Sequence, residues 1–317
     1  MKSNGNKTTK SWKQFGAVAL AVVALVLVVL RFETRNSAQA ASVQATFHSP
    51  ADAAEAIYKA AKSNDEDMLA RILGAKTKAL LTLGDKEADK TAEKAFVSKY
   101  EKMNRWVAMS EGSRVLYIGA DNFAFPVPLA KNPSGQWYFD AVAGAEEIRA
   151  RDIGRNELLA IDACSALVAA QRIYFSSSPS ATFAQRIISS AGRQDGLYWP
   201  ASEQPSSPLA GLSEFPKSSL PSLSPDQPLV IDGYTLRILM AQGAEAPGGA
   251  KSYIVDGKMT GGFAILATPV HYAETGIMAF MTGSDGMVYE RDLGPDTQKI
   301  AASIQEFNPT EDWSPAQ

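Results

Sequence analysis

The chain is poor in the side chains on which most hydrolytic and metal chemistry relies. It holds one cysteine, Cys164, and two histidines, His48 and His271. A single cysteine excludes an intrachain disulfide, so packing alone must hold the fold together. No pattern of basic neighbours accompanies Cys164, which therefore reads as a small buried apolar residue rather than a nucleophile. Two histidines and one cysteine also fall short of a zinc site at the usual ligand spacings. Asp285 stands before Gly286, where an oxygen-ligand calcium site competes with a plain turn, and the turn accounts for the pair without a metal. Neither a metal nor a cofactor is expected.

Catalytic and phosphate-binding signatures are missing too. There is no Gly-x-Ser-x-Gly elbow, and no glycine-rich run followed by Lys and Ser/Thr at nucleotide-loop spacing. Gly248-Gly249 after Pro247 reads as a turn. His271, in Thr268-Pro269-Val270-His271-Tyr272, falls between two strands. A triad base needs a nucleophile within reach and a third group to orient it, and no spacing indicates either, so His271 reads first as a rim or loop histidine. No catalytic residue is assigned.

What is present begins at the N-terminus. Lys2, Lys7, Lys10 and Lys13 precede a run from Phe15 to Leu30 in which every residue is apolar or glycine, and Ala38-Gln39-Ala40 follows. Basic, apolar and small-residue regions in this order are the pattern of a secretory signal peptide. The apolar run is short for a membrane span. Arg31, Glu33 and Arg35 separate it from the small-residue site, which keeps open an uncleaved anchor with its basic end in the cytoplasm. Residues 1–40 hold six Lys/Arg and one Asp/Glu, leaving 25 basic and 33 acidic residues and a net charge of −8. Such a surface repels phosphate backbones, so nucleic acid is excluded as a partner. The expected location is periplasmic or secreted, as in a Gram-negative envelope, with membrane contact only if the N-terminal segment is retained.

The remaining length suits two α+β domains, 46–150 and 151–310. Ser49 can cap a helix over 49–63 with Pro50 in its first turn, and Ala54, Ile57, Tyr58 and Ala61 form one face. A second helix is expected near Glu66–Leu73, stopped by Gly74, and a third from about Lys90 to Met103, with Ala95, Phe96, Val97 and Tyr100 facing the core. Arg114–Ile118, Phe123–Leu129 and Gln136–Asp140 read as strands, the last two joined by the Asn132-Pro133-Ser134-Gly135 turn. Pro126 and Pro128 put the middle strand at an edge or in a bulge. After Gly144 a long connecting helix carries Leu158, Ile161, Cys164, Val168 and Phe175 on one stripe, and a shorter helix is expected near Thr182–Ser190. Residues 200–229, rich in Pro and Ser, read as a long surface loop. The last third reads as an antiparallel meander, with strands at Tyr234–Ala241, Gly262–Thr268, Ile277–Thr282 and Met287–Arg291, the last pair around a Gly283–Gly286 hairpin turn.

Two clusters qualify as binding candidates. Arg151 and Arg155 share a helix face beside Asp152, Asn156 and Glu157. They can hold a carboxylate or glycan oxygen, or join an ion-pair network with Glu146 and Glu147 at the domain junction, which is the commoner role at this spacing. Tyr198 and Trp199 can stack on a sugar or peptide, or plug the point where the loop leaves the body.

Three stretches together resemble a known family. They are Phe125-Pro126-Val127-Pro128 leading to Trp137-Tyr138-Phe139-Asp140, Ile153-Gly154-Arg155-Asn156-Glu157 with Ala170-Gln171-Arg172-Ile173-Tyr174, and the tail from Gly262-Phe263-Ala264 to Asp292-Leu293-Gly294-Pro295-Asp296. They are similar to an exported bacterial family known only as domain of unknown function 2950, a resemblance that covers most of the chain after residue 45 and implies no activity. Residues 46–150 also resemble the cone-shaped domains of the nuclear transport factor 2 type, most closely at Trp137-Tyr138-Phe139-Asp140. Residues 155–296 resemble the soluble heads of type IV pilins and pseudopilins. In pilins the apolar N-terminal helix runs directly into the head, whereas here a whole domain intervenes. The expected function is a non-catalytic binding or assembly module for an envelope protein or glycan. The rival readings are a hydrolase of envelope polymers and a scaffold anchored in the inner membrane.

Overall fold

The computed structural model describes residues 44–74, 81, 86–200, 202–203, 205–212 and 228–316. The N-terminal segment 1–40 and most of the Pro/Ser-rich stretch lie outside them. The chain is α+β and divides into two compact units between Ala145 and Glu146.

In the first unit, helices α1 (Pro50–Ser63), α2 (Glu66–Leu73) and α3 (Lys86–Lys102) precede strands β1 (Asn104–Ala108), β2 (Arg114–Ile118), β3 (Phe123–Ala124), β4 (Leu129–Lys131) and β5 (Trp137–Phe139). Ser49 and Asp52 cap α1 reciprocally: the Asp52 N–H donates to Ser49 Oγ and the Ser49 N–H to Asp52 Oδ2, both at 3.1 Å. Asn64, left-handed at φ 56°, ends the helix. Asp65 caps α2 by accepting from the Met68 N–H. The inner helix faces bring Ile57, Leu69, Ile72 and Leu73 onto Leu116, Ile118, Leu129 and Phe139 of the sheet. Phe96, Val97 and Tyr100 of α3 pack at its margin, while Ala95 is exposed, against expectation.

The sheet is antiparallel in the order β1-β2-β4-β5, with β3 also on β2. β1, missed from the sequence, pairs with β2 along its whole length. The single strand expected over Phe123–Leu129 is instead two. Between the pairs Tyr117↔Ala124 and Arg114↔Leu129, four residues face two on β2. Pro126 and Pro128 have no N–H to give the ladder, so the chain bulges there. The bulge is interior, since β4 pairs with both β2 and β5. Gly144 packs so close to the buried Val127 that a Cβ would lie 2.8 Å from its Cγ1.

The long helix α4 spans Ala141–Ser177. Asp140 Oδ1 caps it, accepting from the Val142 and Ala143 N–H groups. By length and composition it is apolar enough to cross a membrane, but in the second unit Ala160, Ala163, Cys164, Leu167, Val168 and Ala170 are buried in the core cluster. Leu158 is 62% exposed and does not belong to the buried stripe.

Twelve strands are described in the second unit. β6 (Arg186–Ile188) and β7 (Gly196–Tyr198) pair in parallel. β8 (Leu229–Ile231), β9 (Tyr234–Leu239), β14 (Ala264–Pro269), β15 (Met278–Gly283), β16 (Val288–Asp292) and β17 (Ser314–Pro315) form an antiparallel sheet in the order β17-β16-β15-β14-β9-β8. Short strands β10 (Ala241–Gln242) and β11 (Lys251–Ser252) pair with each other, as do β12 (Ile254–Val255) and β13 (Lys258–Met259). Asp232 and Gly233, both at positive φ, make the two-residue turn between β8 and β9. The central β14 is buried along its whole length. Helix α5 (Thr297–Ser303) is capped by Arg237, whose Nη2 donates to the Ala301 and Ile304 carbonyls.

No helix forms over Thr182–Ser190. The wholly buried Gln171 donates from Nε2 to the Ala184 carbonyl at 2.8 Å and accepts its N–H at 2.9 Å. Phe183 bridges Met259. Tertiary partners thus claim the backbone groups a helix would use internally. The Pro/Ser-rich stretch is not wholly surface loop either: Pro208–Gly211 forms a 3-10 turn whose Leu209 is fully buried.

Candidate functional site

The residues singled out by sequence do not assemble into one site. Arg151 pairs with Glu147 at 2.7 Å and Arg155 with Asp152 at 2.9 Å, each within one turn of α4, and Arg155 is largely exposed. Asn156 and Glu157 face the other way. Asn156 Nδ2 donates to the Thr275 carbonyl, and Glu157 Oε1 accepts the N–H groups of Ile277 and Met278 at 2.9 and 3.0 Å. These two side chains hold the start of β15 against the helix. Trp199 is buried, with Nε1 donating to the Pro205 carbonyl at 2.7 Å. Tyr198 is half-buried against the core of the second unit. His271 is exposed at the start of a turn closed by bonds from the Glu274 and Thr275 N–H groups to its carbonyl.

Cys164 is fully buried, and desolvation pushes its thiol up to about 12. That keeps it protonated and unreactive at neutral pH. Among the described residues no group of three or more His, Cys, Asp or Glu side chains is placed to hold a metal ion.

A cleft of about 250 Å³ opens in the second unit instead. The end of α4 supplies Tyr174 to one wall. The β12–β13 hairpin supplies Lys258 and Met259 to another, and the segment between them brings Thr182, Phe183 and Gln185. Arg186 of β6 and Asp195, just before β7, also face the cleft. Each wall is fixed from behind. Phe183 stacks on Phe175 at 4.5 Å and leans on Phe263 at 4.9 Å. Gln185 Nε2 donates to the Gly257 carbonyl, tying the hairpin tip to this segment. Asp256 and Gly257, both at positive φ, form that tip.

The charges in the cleft are not equivalent. Asp195 accepts the Ser190 N–H on Oδ1 and the Ser190 hydroxyl on Oδ2, and Arg186 Nε lies 4.0 Å away. Burial alone would raise its carboxyl, but the Ser190 bonds and Arg186 together hold it below the usual carboxylate range. Burial, then the Asp195 charge, raises the Tyr174 phenol, which donates to the Gln194 carbonyl. Arg186 Nη1 donates to Ser190 Oγ. Lys258 makes no ion pair among the described residues.

Sequence reasoning missed this cleft. Asp256-Gly257 between Ile254-Val255 and Lys258-Met259 is a two-residue hairpin signal that would have placed Lys258 at a hairpin. Nothing local joins Arg186 to Asp195. A separate apolar cavity of about 140 Å³ in the first unit is lined by Ile57, Leu69, Leu73, Leu81, Phe96 and Phe125, among others.

A family model described as Protein of unknown function (DUF2950) matches residues 44–316. No curated protein and no solved structure matches the chain. The likenesses to nuclear transport factor 2 and pilin heads therefore stand on the sequence alone.

Proposed function

Because the chain belongs to the DUF2950 family, whose function is unknown, we propose its role from its own cleft: a non-catalytic binding module that positions a polar envelope ligand. The observation that carries this reading is the composition of the cleft, where Tyr174 of α4, Thr182, Phe183 and Gln185 of the segment that follows, Arg186 of β6 and Lys258 of β13 converge. Aromatic faces with a few fixed polar groups are what a small-ligand site requires. Asp195 is unsuited to acid catalysis, for a general acid needs a raised pKa and this carboxyl is held low with both oxygens occupied. Residues 1–40, with their basic start, apolar run and Ala38-Gln39-Ala40 site, support a place outside the inner membrane, free or anchored. The partner class is an envelope glycan.

The test is to mix the protein with soluble fragments of envelope glycans, follow binding by calorimetry, and follow fragment composition by chromatography. Saturable binding with unchanged fragments is expected. Steady release of shorter products would replace this reading with the hydrolase.

A further inference from the structure

Resting on that reading, we propose that the cleft selects an acidic saccharide, with Lys258 and Arg186 receiving its carboxylate and the Tyr174 and Phe183 rings receiving the sugar. The lining carries two cations and one anion. The anion, Asp195, is already engaged by both donors of Ser190. Arg186 spends Nη1 on Ser190 Oγ and sits 4.0 Å from Asp195, which orients the guanidinium without a close bidentate pair. Lys258 reaches the cleft from a different element, with no ion pair among the described residues, and Asp256 of its own turn is not part of the lining. A positive surplus is therefore concentrated in one small cavity of a chain whose residues after 40 carry a net charge of −8. A lysine ammonium and an arginine together receive an anionic oxygen group, a carboxylate or a phosphate, and on a sugar ring a uronic acid supplies the carboxylate.

The remaining lining fits a sugar. Tyr174 lines the cleft beside the Thr182 hydroxyl and the Gln185 side-chain oxygen, with Phe183 braced by Phe175 and Phe263 as the apolar part of the wall, and a pyranose has alternating apolar and hydroxyl edges that match such a mixture. The cavity lies just under the roughly 300–1,000 Å³ of sites for drug-sized ligands, which limits it to about one sugar ring.

Calorimetric titration of the full chain with D-glucuronate, D-glucose and the dipeptide Ala-Ala tests this. Glucuronate should bind about tenfold or more tightly than glucose, the worth of one charge-assisted bond. Lys258→Gln should cut that preference to about threefold, since Arg186 still faces the carboxylate, and should leave the melting temperature unchanged because Lys258 is exposed. Equal affinity for the two sugars would overturn the charge inference and leave the cleft as a ligand site. Tighter binding of Ala-Ala than of glucuronate would overturn the saccharide and make the ligand a peptide carboxylate. An unchanged preference in Lys258→Gln would overturn the assignment of Lys258. No binding of any probe would overturn both this inference and the reading beneath it.

Discussion

Removal of the Glu157 carboxylate should be among the most destabilising single changes in α4. One of its oxygens accepts two backbone N–H groups, from Ile277 at 2.9 Å and Met278 at 3.0 Å, across a separation of more than a hundred residues. Beside it Asn156 donates to the Thr275 carbonyl, and the Met278 carbonyl accepts the Tyr234 hydroxyl. Glu157→Ala deletes the acceptor and leaves both donors in a partly buried seam. An unsatisfied buried donor costs about 1–3 kcal/mol. Water reaches part of the seam, so about 2–3 kcal/mol in total is expected. For a unit of this size each kcal/mol moves Tm by about 2–4 °C, which gives a fall of roughly 4–12 °C by circular dichroism. Glu157→Gln keeps an acceptor oxygen but loses the charge, and should lose about half as much, since charge-assisted bonds are about twice as strong as neutral ones. A Glu157→Ala protein that melts within about 1 °C of the parent would refute the claim that this carboxylate fastens helix to sheet.

Arg155→Ala should cost only about 0–1 kcal/mol in urea unfolding, because its partner Asp152 lies one turn away on an open surface; a loss above about 3 kcal/mol would mean a buried network. Trp199→Phe should cost about 1 kcal/mol by losing the bond to the Pro205 carbonyl, and Trp199→Ala about 3–5 kcal/mol by opening a cavity; near-neutral behaviour of both would contradict the burial of this ring. Stability should also fall in alkali. Burial lifts Cys164 from 9.0 to about 12, and burial, then the Asp285 charge, lifts Tyr253 from 10.0 to about 12. The native state then keeps protons that the unfolded chain gives up. The stability from these groups is full below about pH 9 and is lost as pH rises towards 12. Urea midpoints should drop across that window, and Cys164→Ala should remove the part that begins near pH 9; flat midpoints would refute the burial argument.

Local chemistry was legible where local chemistry decides the structure. Ser49-Pro50 announce the start of α1, Gly74 the end of α2, and Asn132–Gly135 and Gly283–Gly286 their turns. These signals act over a few residues, so a sequence shows them directly. The helix expected over Thr182–Ser190 failed because Gln171 and Met259, distant in sequence, bind the backbone of Ala184 and Phe183. Leu158 was misplaced because apolar character alone does not say which face of a long helix meets the sheet. The cleft was illegible for the same reason. Its residues come from α4, the segment 180–185, β6, the approach to β7 and β13, and only the fold of the second unit brings them together. Asn156 and Glu157 stood out in the sequence, but their bonds to the backbone of Thr275, Ile277 and Met278 did not, since those partners carry no side-chain signal.

The claim that the cleft of the second unit positions an envelope ligand without transforming it is tested most directly by one nuclear magnetic resonance titration. Isotope-labelled protein is titrated with soluble fragments of envelope glycan, and the same sample is read by mass spectrometry. Backbone shifts should gather at Thr182–Arg186, Asp195 and Lys258, leave His271 and Arg155 unmoved, and leave the fragments at their original masses. Shifts centred on His271, or the appearance of cleaved fragments, would contradict the account.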